Sequence, residues 1–67
     1  MEVTVNQQLY TIYPECTVQT LLSDVLNRAS NGLAIAINQT IISKADWGTA
    51  RLKHGDQVII ITATQGG

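Results

Sequence analysis

The sequence has few of the residue types on which most enzymes rely for chemistry. It contains one cysteine and one histidine in 67 residues. A single cysteine excludes an internal disulfide, and without C-x-x-C or H-x-x-x-H spacing the sequence gives no support for a metal site. The glycine-rich loops that bind nucleotide phosphates are also absent. We therefore expect no metal, no bound cofactor and no catalysis by this chain alone.

Charge and long apolar runs are equally scarce. Four basic residues nearly balance five acidic ones, so nothing indicates a nucleic-acid-binding face. The sequence has no apolar stretch long enough to span a bilayer, and residues 1–5 do not resemble the start of a signal peptide. Together with the single cysteine, these features favour a reducing compartment, and we expect the protein in the cytoplasm.

The two rare reactive side chains have ordinary structural interpretations. His54 precedes Gly55 and Asp56, a combination typical of a turn, so a solvated turn residue is expected. Cys16 lies just before a predicted helix start, and a small, partly buried filler is favoured there. A role for Cys16 in persulfide transfer would require an exposed, reactive thiol.

Hydrophobic residues make up 45% of the chain, and their periodicity predicts both strands and a helix. Alternation or short β-rich runs predict strands in five segments, of which the last is the most apolar. Thr17 is a good N-cap, and a stripe from Val18 to Ala29 predicts one helix that ends near residues 30–32, with an Asp24–Arg28 pair on its surface. The predicted strands cover residues 2–6, 9–13, 33–38, 41–43 and 58–61.

This order of elements predicts an α+β fold of the β-grasp (ubiquitin-like) type. One mixed sheet of four to five strands would carry one main helix packed across it. The first and last long strands are the best candidates for central neighbours, and Trp47 and Leu52 are expected to close one end of the core. We assign residues 1–61 to the domain and residues 62–67 to a flexible C-terminal tail.

The unusual feature is the pair of glycines at the end of the sequence, Gly66 and Gly67. Glycines without a Cβ fit a narrow passage, and residues 62–67 can extend about 20 Å into a partner's active site. A carboxylate at Gly67 is a poor electrophile until its oxygen becomes part of a good leaving group, for example by adenylation. Because no nucleotide motif is present, a partner must supply ATP and magnesium.

Residues 34–38 (AIAIN), residues 55–61 (GDQVIII) and Gly66-Gly67 carry a family resemblance. With them, over essentially its whole length, the chain resembles the ThiS family, the sulfur carriers of thiamin thiazole biosynthesis. The resemblance implies a cycle in which a ThiF-type adenylyltransferase activates Gly67, sulfur converts it to a thiocarboxylate, and the thiazole synthase ThiG takes that sulfur. Gln65 and Gly66 would be the part of the tail that enters the partner.

Other functions remain open from the sequence. The Gly-Asp before the last strand and the final Gly-Gly are shared with MoaD-type carriers for molybdopterin synthesis, although those chains are usually longer. A ubiquitin-like conjugation tag and a plain binding module with an inert tail are the remaining alternatives. If Val58 and Ile60 face the helix, then Ile59 and Ile61 face outward beside the tail, and we expect these two isoleucines to contact a partner.

Overall fold

A computed structural model describes residues 1–28 and 32–62 of the chain. Five strands form one mixed sheet in the spatial order β2-β1-β5-β3-β4, and a helical segment packs across one face of it. This arrangement confirms the predicted fold class. The strands are β1 (Glu2–Val5), β2 (Gln8–Thr11), β3 (Leu33–Ile37), β4 (Thr40–Ile42) and β5 (Gln57–Thr62).

The last strand occupies the centre of the sheet, as its apolar sequence predicts. It runs parallel to β1 and antiparallel to β3, so β1 and β5 are neighbours. Parallel pairing requires a long crossover between the two strands, and the helical segment lies within it. β5 extends to Thr62, which pairs with Leu33, so the strand runs one residue into the segment predicted as tail.

Two hairpins of the same kind flank the centre. Asn6-Gln7 connects β1 to β2, and Asn38-Gln39 connects β3 to β4. All four residues have positive φ, between 49° and 73°. Two consecutive left-handed residues make the turn whose twist matches that of paired strands, and asparagine is among the residues that tolerate it best. The shared Asn-Gln dipeptide therefore fixes the register of both edge strands.

The helix begins where the sequence predicts and ends earlier. Thr17 caps it, since its hydroxyl accepts a hydrogen bond from the Thr20 N–H at 3.2 Å. The helix α1 (Val18–Thr20) continues as a wider π-helical segment, Leu21–Val25, and Asn27 then takes a left-handed φ of 54°. The prediction that the helix reaches Ala29 therefore fails at Asn27, while Ala29 itself lies outside the described residues.

Two buried side chains anchor the residues between β4 and β5, for which the sequence predicts no regular structure beyond a turn. A short 3-10 helix, Lys44–Asp46, leads into Trp47, which is buried and donates its indole N–H to the Ile42 carbonyl at 3.1 Å. Leu52 is also buried, as predicted. The core lies between the sheet and these covering elements; its buried side chains are Val3, Val5, Ile12, Cys16, Val18, Leu21, Leu22, Ile35, Trp47, Leu52, Val58 and Ile60.

Candidate functional site

The candidate site lies where β5 ends at Thr62. Residues 63–67, which include Gln65, Gly66 and Gly67, lie outside the described residues, so their predicted role as the reactive tail remains a prediction. The structure instead shows what the fold builds around the last strand residue. Because β5 is parallel to β1, Thr62 lies at the end of the sheet where the Asn6-Gln7 turn is found.

Two turn asparagines hold β5 from opposite sides. Asn6 makes a paired contact with Ile60: its Oδ1 accepts the Ile60 N–H at 2.8 Å, and its Nδ2 donates to the Ile60 carbonyl at 3.3 Å. Asn38 Oδ1 accepts the Gln57 N–H at 3.0 Å. The backbone hydrogen bonds between β1 and β5 end with the Asn6 N–H, which donates to the Val58 carbonyl at 2.9 Å. The side-chain amide of Asn6 continues the ladder from there towards the end of β5.

The outer face of the sheet, which points away from the helix, is apolar on the β5-β3-β4 side. Ile59 and Ile61 are 39% and 52% exposed, which confirms that both point outward. Register places Ala36 between Ile59 and Ile41, and Ala34 beside Ile61. We call these five residues the outer apolar patch. Ala36 is buried because a larger isoleucine stands on each side of it.

The β1-β2 side of the same face is mostly polar. A shallow cavity of about 360 Å³ lies there, lined by Thr4, Gln7, Gln57 and Ile59. Leu9, 60% exposed on the edge strand β2, is the large apolar side chain on this side, and Thr4 stands opposite it in the register. The outer apolar patch is therefore bounded by polar side chains towards β1 and reaches the end of β5 at Ile61.

The opposite side of the strand end carries a positive charge. Arg28 Nη2 donates to the Thr62 hydroxyl at 3.3 Å. The predicted Asp24–Arg28 ion pair does not form, since the helix ends before Arg28, and Asp24 instead accepts a hydrogen bond from Ser23. No pattern in the sequence indicates the Arg28–Thr62 contact, because it joins residues that only the fold brings together.

The two rare reactive side chains lie away from the strand end and have structural contacts. His54 is exposed in its turn, as predicted, and its Nδ1 accepts the Glu2 N–H at 3.0 Å. Cys16 is buried, and its thiol contacts the Thr17 carbonyl at 3.5 Å. Burial raises the pKa of the Cys16 thiol, and the charge of Asp24 raises that pKa further. Cys16 is therefore poorly suited to persulfide transfer, since the thiolate is the nucleophile.

Metal binding and membrane insertion find no support in the part of the chain that the structure describes. Within residues 1–28 and 32–62, no three His, Cys, Asp or Glu side chains are placed to share a metal ion. No helix in these ranges is both long and apolar enough to cross a membrane.

Comparison with known proteins finds one family. The model of the ThiS family matches residues 3–67. The chain is 31% identical to the sulfur carrier protein ThiS of Escherichia coli (strain K12) over 67 residues, which is the full length of both chains. Its fold matches the crystal structure of the thiamine biosynthesis protein ThiS from Geobacter metallireducens with a TM-score of 0.85, at 23% identity and with both chains fully covered.

Proposed function

Because the chain belongs to the ThiS family of sulfur carrier proteins, we propose that the carboxylate of Gly67 is its working group and the domain is a scaffold that presents it. The observation that best supports this proposal is the position of β5. The strand that leads to Gly67 is central in the sheet and is held by hydrogen bonds on both sides up to Ile60. The remaining residues 63–67 can extend about 16–18 Å from Thr62.

The proposed chemistry takes place in partner enzymes. In the active site of a ThiF-type adenylyltransferase, a Gly67 carboxylate oxygen attacks the α-phosphorus of ATP and pyrophosphate leaves. The acyl adenylate then reacts with hydrosulfide, which forms a carbon–sulfur bond and releases AMP. The resulting thiocarboxylate donates its sulfur to a ThiG-type thiazole synthase. The partner supplies ATP and magnesium, so this chain acts as a co-substrate and not as the catalyst, and we place the cycle in the cytoplasm.

The outer apolar patch is the proposed contact for the activating enzyme. Ile59 and Ile61 lie on β5 itself, so a partner that covers them also receives the chain that follows Thr62. Ile41 adds a third large side chain, 65% exposed, on the edge strand β4. Sequence reasoning identified Ile59 and Ile61 by alternation but missed Ile41, because a strand of three residues is too short to show which side faces out.

The carrier chemistry is tested by the intact mass of the protein after incubation with a ThiF-type enzyme, ATP, magnesium and sulfide. We expect a gain equal to the replacement of one oxygen by sulfur, and no gain in a chain that lacks Gly67. If the folded protein gains no mass with an adenylyltransferase that is active on another carrier, this result contradicts the proposal. Adducts to lysines that resist thiols would instead indicate a conjugation tag, and sulfur transfer only to a molybdopterin synthase subunit would indicate the MoaD-type pathway.

The contact surface is tested by Ile61→Asp, with Leu9→Asp as the matched control. Both side chains are more than half exposed on the same face, but only Ile61 belongs to the outer apolar patch. If Ile61 is a central contact, its replacement raises the KM for adenylation by about tenfold or more without unfolding the domain. Leu9→Asp should leave KM within about twofold of the wild-type value. Equal KM values for Ile61→Asp and wild type would place the contact elsewhere.

A further inference from the structure

Arg28 connects the end of the helical segment to the end of β5. Asn27 takes a left-handed conformation, and the Arg28 N–H then donates to the Leu22 carbonyl at 2.8 Å. This backbone bond ties Arg28 to the helical segment, while its guanidinium reaches the hydroxyl of Thr62 at 3.3 Å. The side chain therefore joins two elements that are 34 residues apart in sequence.

The contact is made on the inner side of the strand. Val58 and Ile60 are buried on the face that the helix covers, and alternation places Thr62 on that face too, whereas Ile61 points outward. The last residue of β5 is thus held by two contacts, one to β3 and one to Arg28. Thr62 pairs with Leu33 on β3, its hydroxyl accepts from Arg28, and the preceding Ile61 contributes to the outer apolar patch.

The Arg28–Thr62 contact is a hydrogen bond to a neutral group and not an ion pair, so it is suited to orient Thr62. Arg51 pairs with Glu15 at 3.5 Å, and the Lys44 ammonium lies 6.0 Å from the centre of the Trp47 ring. Arg28 instead donates to a neutral hydroxyl, and no carboxylate of the described residues pairs with it. A planar guanidinium loses little freedom for each hydrogen bond that it forms, so it can define the position of its acceptor well.

We propose that Arg28 is a positioning residue for the modification of Gly67, because its hydrogen bond to Thr62 fixes the direction in which the chain leaves the sheet. This inference rests on the proposed function. Five residues separate Thr62 from the reacting carboxylate, a span of about 16–18 Å when extended, so Arg28 acts at the base of this segment and not on the carboxylate. Fixing the base lowers the ordering cost when the segment enters a partner.

The test removes the same hydrogen bond from each end. Arg28→Met keeps a long side chain without a donor, and Thr62→Val keeps the shape of a strand residue without an acceptor. Each variant should raise the KM for thiocarboxylate formation by about threefold to tenfold, because the partner must then also order the base of the segment. The kcat and the thermal midpoint should stay unchanged. The double variant should be no worse than either single one, and Arg28→Lys should recover part of the loss.

Other outcomes would overturn the inference. If Arg28→Met still raises KM in the Thr62→Val background, Arg28 contacts the partner directly. If both variants lower the thermal midpoint together with activity, the contact is structural. If neither changes KM while the wild type is modified, the contact is irrelevant to the reaction.

A second readout does not depend on any partner. The backbone amide order parameters of residues 63–67, measured by nitrogen-15 relaxation on the isolated protein, should fall in Thr62→Val and Arg28→Met relative to wild type. Unchanged order parameters would contradict the positioning role. Because this measurement needs no adenylation, it separates failure of the inference from failure of the proposed function, which would appear as a wild type that is never modified.

Discussion

The two faces of β5 carry the same types of residue but differ in burial. Val58 and Ile60 on the inner face are 0% and 7% exposed, whereas Ile59 and Ile61 on the outer face are 39% and 52% exposed. All four side chains are β-branched and suit a strand equally well. Hydrophobicity therefore does not distinguish the buried face of this strand from its exposed face, whereas the alternation of side chains along the strand does.

The comparison also shows how the two faces depend on each other. A shift of the β5 register by one residue would exchange the inner and outer sets. The side-chain amide oxygens of Asn6 and Asn38 accept the backbone N–H groups of Ile60 and Gln57, so these bonds oppose such a shift. The outer apolar patch is consequently presented beside Thr62 by the same bonds that keep the core closed.

The largest expected effect is the difference in stability between two variants, each with one isoleucine truncated on one face of β5. Ile60→Ala should lower the free energy of unfolding by about 2–5 kcal/mol because it leaves a cavity in the core. Ile61→Ala should change it by less than about 0.5 kcal/mol, since the side chain is already half exposed. Urea denaturation followed by circular dichroism measures both.

A small domain has little stability to lose, so a milder variant serves as a control for Ile60→Ala. Ile60→Val should cost about 0.5–1.5 kcal/mol and remain folded. If truncation of Ile60 and of Ile61 to alanine lowered the free energy of unfolding equally, the two faces would not differ in burial in solution as they do in the structure.

The second-largest effect is expected at the turn before β5, which sets the residue at which the strand begins. Asp56 is buried immediately before the strand; its Oδ1 accepts from Asn38 Nδ2 at 3.0 Å and its Oδ2 from the Lys53 N–H at 2.7 Å. Asp56→Ala leaves both donors without this partner and should cost about 2–3 kcal/mol in the same urea experiment. The exposed Asp46 is the control, because Asp46→Ala should cost less than about 0.5 kcal/mol. Similar costs for the two would show that Asp56 does not set the start of β5.

Local periodicity explains most of what the sequence predicts correctly. Alternation identified the strands and the outward direction of Ile59 and Ile61, and the hydroxyl of Thr17 marked the helix start. Each of these inferences depends on neighbours within a few residues, where backbone geometry determines which side chains share a face. The resemblance to sulfur carriers supplied the family, which the comparisons then confirmed.

The features that the sequence could not predict depend on contacts between distant segments. The helix was expected to continue past Asn27, since the apolar stripe does; asparagine tolerates the left-handed conformation, and the chain turns there. The bonds of Asn6 to Ile60 and of Arg28 to Thr62 span 54 and 34 residues, so they exist only once the sheet has formed. The roles of Gln65, Gly66 and Gly67 stay predictions.

The smallest expected effect tests how completely the inner face excludes water. The pKa of Cys16 is raised above its ordinary value by burial, and secondarily by Asp24, so the folded protein keeps the thiol proton to higher pH than the unfolded chain does. As pH rises above the ordinary thiol pKa, the unfolded chain loses this proton first, and the free energy of unfolding should fall by at most about 1.4 kcal/mol per pH unit. Below that range Cys16 contributes no pH dependence.

Cys16→Ala isolates this contribution, since tyrosines and lysines titrate in the same alkaline range. The free energy of unfolding of the wild type minus that of the variant should be constant near neutral pH. This difference should then decrease as pH rises, because only the wild type has the thiol. In parallel, alkylation of Cys16 at neutral pH should be slow in the folded protein and fast in urea. A thiol that reacts as quickly in the folded chain as in the unfolded one would show that water reaches the inner face, and the contrast between the two faces of β5 would then be weaker than their burial indicates.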